Sequence, residues 1–241
     1  MNRENILFSL VGIGFGLFLG FGFASWANMR AGATLTGDGR AVQSALPSNA
    51  VADQQRLETA AQAAVKAARE NPSDFEAQMQ AARASFQTER LDDVLEFLLR
   101  ANTLKPDELE PVVALGNVNY DTGNYLAAEK WYTAALARTP DDINVRTDLG
   151  LTFLLRTPPD NERALAEFRR SLQLDPNHEP TLQNMVVALT RKGDKTEART
   201  TLAKLESLNP TNPALPQLRS GLDGAASGAG DASKAASGGK S

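Results

Sequence analysis

Prolines stand at positions 72, 106, 140, 176 and 210, separated by 34, 34, 36 and 34 residues. Four sit in related settings: Lys105-Pro106-Asp107, Thr139-Pro140-Asp141, Asp175-Pro176-Asn177 and Asn209-Pro210-Thr211. A period of this length constrains the fold more than any other feature of the chain. One unit holds two short helices, cannot bury its own outer faces, and must stack on its neighbours. Each unit carries two apolar stripes at helical spacing, parted by turns such as Asp121-Thr122-Gly123-Asn124 and Arg191-Lys192-Gly193-Asp194. The repeat prolines close one helix and turn the chain into the next unit.

Within the period the residues align. The second unit has Val112-x2-Leu115-Gly116, Gly123, Ala128-x3-Tyr132 and Ala135; the third has Leu149-Gly150-x2-Phe153 and Ala164-x3-Phe168. The first keeps Ala81-Ala82, Val94-x3-Leu98 and Ala101, and the fourth keeps Met185, Gly193 and Ala198-x3-Leu202. This pattern resembles the tetratricopeptide repeat family, over about 140 of the 241 residues. The expected fold is all-α: a solenoid of about four helical hairpins, near 75–108, 109–142, 143–178 and 179–212, within a domain spanning 51–222. Gly116 and Gly150 are expected where the helices of one hairpin cross, opposite Ala128, Ala164 and Ala198. The segment 51–70, with Leu57, Ala60, Ala64 and Ala67, reads as a half-repeat capping the first unit. A short helix from Asn212-Pro213, carrying Leu215, Leu218 and Leu222, reads as the cap at the other end.

Ahead of the repeats, Ile6–Ala27 is a run of 22 uncharged residues with five Phe and five Gly. As a helix it would extend roughly 33 Å, enough for a bilayer core of about 30 Å. A single membrane-spanning anchor within 1–30 is therefore expected; the rival reading is a cleaved signal peptide. Arg3 precedes the run while Arg30 and Arg40 follow it, so charge barely orients it. A very short tail before a large C-terminal domain favours a signal-anchor with the repeats outside the cytoplasm, in the periplasm if the source is bacterial. Gly12, Gly16, Gly20 and Ala24 share one face, a stripe that would support lateral association into a homo-oligomer. Residues 31–50 read as a flexible linker, and the Gly/Ala/Ser-rich residues 223–241 as a disordered tail.

Chemistry is sparse. The chain has no cysteine and one histidine, His178, in an inter-repeat turn, where a surface position is expected. No nucleophile motif or phosphate loop follows a strand, and Asp92-Asp93 and Asp141-Asp142 sit at helix starts, where they complement the helix dipole. No enzymatic activity, cofactor or metal is expected. Residues 51–222 carry 20 basic and 25 acidic side chains, a balance that offers no basic face for nucleic acid.

The resemblance implies a partner groove lined by the first helix of each repeat. Carried over position by position, it contains Met79, Arg83 and Phe86; Val113, Asn117, Tyr120 and Asp121; Thr147, Leu151, Leu154 and Leu155; and Gln183, Val187, Thr190 and Arg191. Such a face would hold a peptide or helix of a protein partner. In the family's carboxylate-clamp subset basic residues grip a peptide terminus; here only Asn117 holds a clamp-type position and Met79 stands in place of lysine. The function expected is therefore a membrane-anchored interaction scaffold. Alternatives are an assembly factor similar to the tetratricopeptide domains of bacterial cytochrome c maturation complexes, and a regulatory subunit of an enzyme.

Overall fold

The computed structural model describes residues 48–224, which contain helices and no strand. The helices are α1 (Ser48–Glu70), α2 (Phe75–Gln87), α3 (Leu91–Leu104), α4 (Leu109–Asp121), α5 (Tyr125–Leu136), α6 (Ile143–Leu155), α7 (Asn161–Leu174), α8 (Glu179–Lys192) and α9 (Lys195–Leu208). A further helix, α10, runs over 215–224. The run Ile6–Ala27, with Gly12, Gly16, Gly20 and Ala24, lies outside the described residues, as do most of the linker and the tail. Among the described residues no helix is long and apolar enough to cross a membrane.

Contacts divide the chain within α4 into two units, 48–118 and 119–224. In the first, α1 packs on α2 and α2 on α3. In the second, α5 packs on α6, α6 on α7, α7 on α8 and α8 on α9, with α6 also touching α8. This is hairpin stacking, in which each helix meets its near neighbours in sequence.

Local signals explain the boundaries. Asp74, Asp142, Asp160 and Asp194 precede α2, α6, α7 and α9, and each carboxylate accepts from the amide three residues on, at 3.2, 3.0, 3.0 and 3.1 Å. An aspartate there satisfies an otherwise unbonded amide and complements the dipole. Gly123 and Gly193 close α4 and α8 with φ of +77° and +87°, a conformation that favours glycine. The third unit's two extra residues fall in the turn Arg156–Asp160, whose amide at Asp160 donates to the Phe153 carbonyl at 2.8 Å.

The expected core residues are inside. Val112, Leu115 and Leu149 are buried, as are Tyr132, Phe168 and Leu202. Gly150 faces the second helix of its hairpin as expected, but the group it meets is the Phe168 ring rather than Ala164: a β-carbon added there would lie 2.4 Å from Cε1 of Phe168. Leu215, Leu218 and Leu222 of α10 are also buried.

Ion pairs tie successive second helices together. Glu129 of α5 accepts from Arg163 of α7 at 2.7 Å, and Glu197 of α9 accepts from Arg169 of α7 at 2.8 Å. Arg163 also lies 3.8 Å above the Phe153 ring. In both pairs the arginine is exposed and the glutamate half-buried, and each contributes modestly, about 0–1 kcal/mol.

Candidate protein-binding faces

The expected groove residues lie on α2, α4, α6 and α8, and packing buries part of them. In the unit 48–118, Arg83 and Glu110 form an ion pair at 2.5 Å that joins α2 to α4, both largely exposed. Phe86, Val113 and Asn117 are half-buried. Met79 is not available: at 1% exposure it belongs to the core.

In the unit 119–224, Asp121 and Arg191 are exposed, and Leu155, Gln183 and Thr190 are half-buried. Thr147, Leu151, Leu154, Val187 and Tyr120 are buried, with 3%, 2%, 1%, 7% and 8% exposure. For these five the groove assignment is corrected. Thr147, Leu151 and Leu154 lie on α6, packed by α5, α7 and α8, and Val187 lies on α8, packed by α7, α9 and α6, so side chains there complete the core. Two contacts show the closure. Arg191 Nη1 donates to the Leu154 carbonyl at 2.9 Å, tying the end of α8 to the end of α6. Thr147 Oγ1 donates to the Ile143 carbonyl at 2.8 Å and lies 2.7 Å from Thr181 Oγ1 of α8.

His178 joins that hydroxyl chain, so its expected surface role is corrected too. It is half-buried at the start of α8, with Nδ1 2.7 Å from Thr181 Oγ1. Thr147 uses its proton on Ile143, which makes Thr181 the donor to Thr147 and leaves the His178 Nδ1–H as donor to Thr181. Burial pushes the His178 pKa down, opposed by Asp175. The sequence signal for the chain of hydroxyls was faint: two threonines 34 residues apart.

An acid–tyrosine cluster was not anticipated. The rings of Tyr120 and Tyr125 meet edge-to-face at 5.6 Å. Burial raises both phenols, that of Tyr120 far above its ordinary range. Asp121 is exposed as a residue while its carboxyl is crowded by protein, which pushes its pKa up to about 6. Asp148 is held well above the usual carboxylate range by burial, then by the charges of Asp142 and Asp121. Among the described residues no group of three or more His, Asp or Glu is placed to hold a metal.

Two family models match: Tetratricopeptide repeat over residues 48–108 and 93–143, and Cilia and flagella-associated protein 70 middle TPR-like domain over residues 120–220. No curated protein gives a significant match. Among solved structures, YrrB, described as a TPR protein with an unusual peptide-binding site, is 19% identical with a TM-score of 0.60, over 71% of this chain and 88% of that one. A MamA structure is 17% identical with a TM-score of 0.59, over 69% and 96% of the two chains. MamA 41-end from Desulfovibrio magneticus RS-1 is 20% identical with a TM-score of 0.59, over 68% and 94%. At such identities these structures speak for the fold alone. Repeat phase, hairpin packing and two tetratricopeptide models that together run from residue 48 to 220 converge: the chain belongs to the tetratricopeptide repeat family.

Proposed function

We propose that the protein is a membrane-tethered tetratricopeptide scaffold that holds a peptide or helix of a partner protein against its first-helix faces. The observation that carries this reading is the set of polar side chains left accessible beside buried apolar ones on those helices. Arg83 is exposed and Asn117 half-buried in one unit; Gln183 is half-buried and Arg191 exposed in the other. Half-buried apolar side chains, Phe86 and Val113 in one unit and Leu155 in the other, with polar groups beside them suit a peptide backbone and its side chains. The peptide-binding site stated for YrrB, a protein of similar fold, supports it.

Tethering rests on the 22-residue uncharged run Ile6–Ala27. In this reading the repeats lie outside the cytoplasm and the Gly12–Gly16–Gly20–Ala24 stripe brings anchors together; Gly16→Ile should then shift the oligomer distribution in native electrophoresis. Protease protection of a C-terminal tag on sealed membranes tests the topology. A digestible, full-length tag supports the reading, and a shortened soluble product rejects the anchor. For the groove, proximity labelling in cells should recover a shared partner set from the parent that Gln183→Ala with Arg191→Glu loses. Identical recovery with both chains rejects it. An apoprotein in that set would select the assembly-factor variant.

A further inference from the structure

Asp148 of α6 is half-buried, and among the described residues no ion pair or hydrogen bond reaches its carboxyl group. A carboxylate drawn out of water is ordinarily paired or hydrogen-bonded, since an uncompensated charge is costly there. Burial, then the charges of Asp142 and Asp121, hold it well above the usual carboxylate range, and no positive neighbour opposes them. A second polar group in the same state adjoins it. Asn184 occupies on α8 the register that Asp148 occupies on α6, eight residues after the repeat proline. It is 7% exposed, and its amide, which is not sealed from solvent, meets no partner among the described residues. The two helices pack on each other and are tied on either side of this pair. Thr147 and Thr181 meet at 2.7 Å before it, and Arg191 bonds the Leu154 carbonyl at 2.9 Å beyond it. Asp121 is the third group. It ends α4, is exposed and without an ion pair among the described residues, and its charge acts on Asp148. The carbonyl end of α4 adds negative potential at that point. Arg191, the cation on α8, is held at the Leu154 carbonyl seven residues past Asn184, roughly 10 Å along the helix.

Resting on the groove reading above, we propose that Asp121, Asp148 and Asn184 form the subsite that holds an arginine side chain of the partner peptide. Two carboxylates and an amide oxygen, supplied by three helices, accept from several directions at once. The planar guanidinium, with five N–H donors in a fixed fork, matches such a set; the compact ammonium of lysine has three donors and matches it less well. A guanidinium seated between Asp121 and Asp148 turns their mutual repulsion into attraction to a shared cation. The Asn184 amide oxygen then gains the donor it lacks. Charge complementarity thus gives the partner a basic residue at the centre of the segment that lies on α6 and α8.

The test pans a phage-displayed library of random peptides against the full chain in lipid nanodiscs. Clones that bind should share an arginine at one position. Replacing it by citrulline, which keeps the shape and loses the charge, should weaken binding about tenfold or more in fluorescence anisotropy. Asp121→Asn combined with Asp148→Asn should bind the arginine and citrulline peptides equally, and Asn184→Ala should narrow the difference between them. The double variant removes repulsion between carboxylates, so its melting temperature should be no lower than the parent's. An arginine preference that the double variant retains, or equal binding when lysine replaces the arginine, overturns the proposal. So does the absence of arginine enrichment, the result expected if a cation of this chain or of a second copy fills the subsite. Clones without arginine that Gln183→Ala with Arg191→Glu no longer binds would overturn the subsite and leave the groove reading standing. No binding clone at all would count against both.

Discussion

Gly150→Ala tests the packing account where two effects of opposite sign meet. In an exposed helix interior the change stabilises by about 1 kcal/mol, because alanine has the higher helix propensity. Here the new methyl would sit 2.4 Å from Cε1 and 2.8 Å from Cδ1 of Phe168, whereas unstrained carbon pairs lie at roughly 3.5–4.0 Å. More than about 1 Å must therefore be gained, and Phe168 has 0% exposure, so its ring has no free space to enter. Overpacking of this kind costs typically 1–3 kcal/mol, and an overlap this deep belongs at the upper end. Subtracting the propensity gain leaves a net loss of about 2 kcal/mol. Urea denaturation of the full chain, followed by far-ultraviolet circular dichroism, should show a lower midpoint for Gly150→Ala. Phe168→Leu alone is also destabilising, yet the double variant should lose about 1 kcal/mol less than the sum, since the smaller side chain leaves room for the methyl. A Gly150→Ala chain as stable as the parent, or strict additivity in the double variant, would refute the reasoning.

Leu154→Ala should cost about 2–5 kcal/mol through lost burial and an unfilled cavity, measured as a fall in urea midpoint, because Leu154 is a core side chain rather than a groove contact. Asp160→Ala should lower stability by about 1 kcal/mol, read by the same method, by removing the cap on the Arg163 amide. For pH, Asp148 and Asp121 have folded pKa values above those of the unfolded chain. The native state thus holds more protons, and their stability term is fully present below about pH 4 and lost as pH rises through the folded values, that of Asp121 being about 6. Asp148→Asn should therefore match the parent's melting temperature near pH 4 and exceed it by a margin that grows toward pH 7.5; a constant margin would contradict the assignment. His178 acts in the other direction: its folded pKa is lowered, so its contribution is present above the unfolded value near 6.5 and declines on acidification. The parent's melting curve should lose that acid-side decline in His178→Gln.

Hairpin formation was readable from residues close in sequence. The proline period, the turn glycines Gly123 and Gly193 and the aspartates at helix starts all act within one unit of 34 to 36 residues, whereas the contact of Gly150 with the Phe168 ring appeared only in the structure. Such signals fix helix ends and the pairing of each helix with the next, because the loops to be closed are short. The faces left open were not readable in that way. Leu154 is buried and Leu155 beside it half-buried, in a helix on which α8 also packs. His178 became part of a hydrogen-bonded chain only because stacking carries Thr147 and Thr181 to 2.7 Å. The alanines of α1 look like any buried second-helix stripe in sequence, yet Ala60 and Ala67 are exposed and Ala64 is half-buried. Sequence by itself determined which segments become helices and which helices pair, since those choices are settled by short-range periodicity and backbone chemistry. Tertiary structure alone decided which side chains remain accessible to a partner, because accessibility depends on the angle and offset at which one hairpin lies on the next.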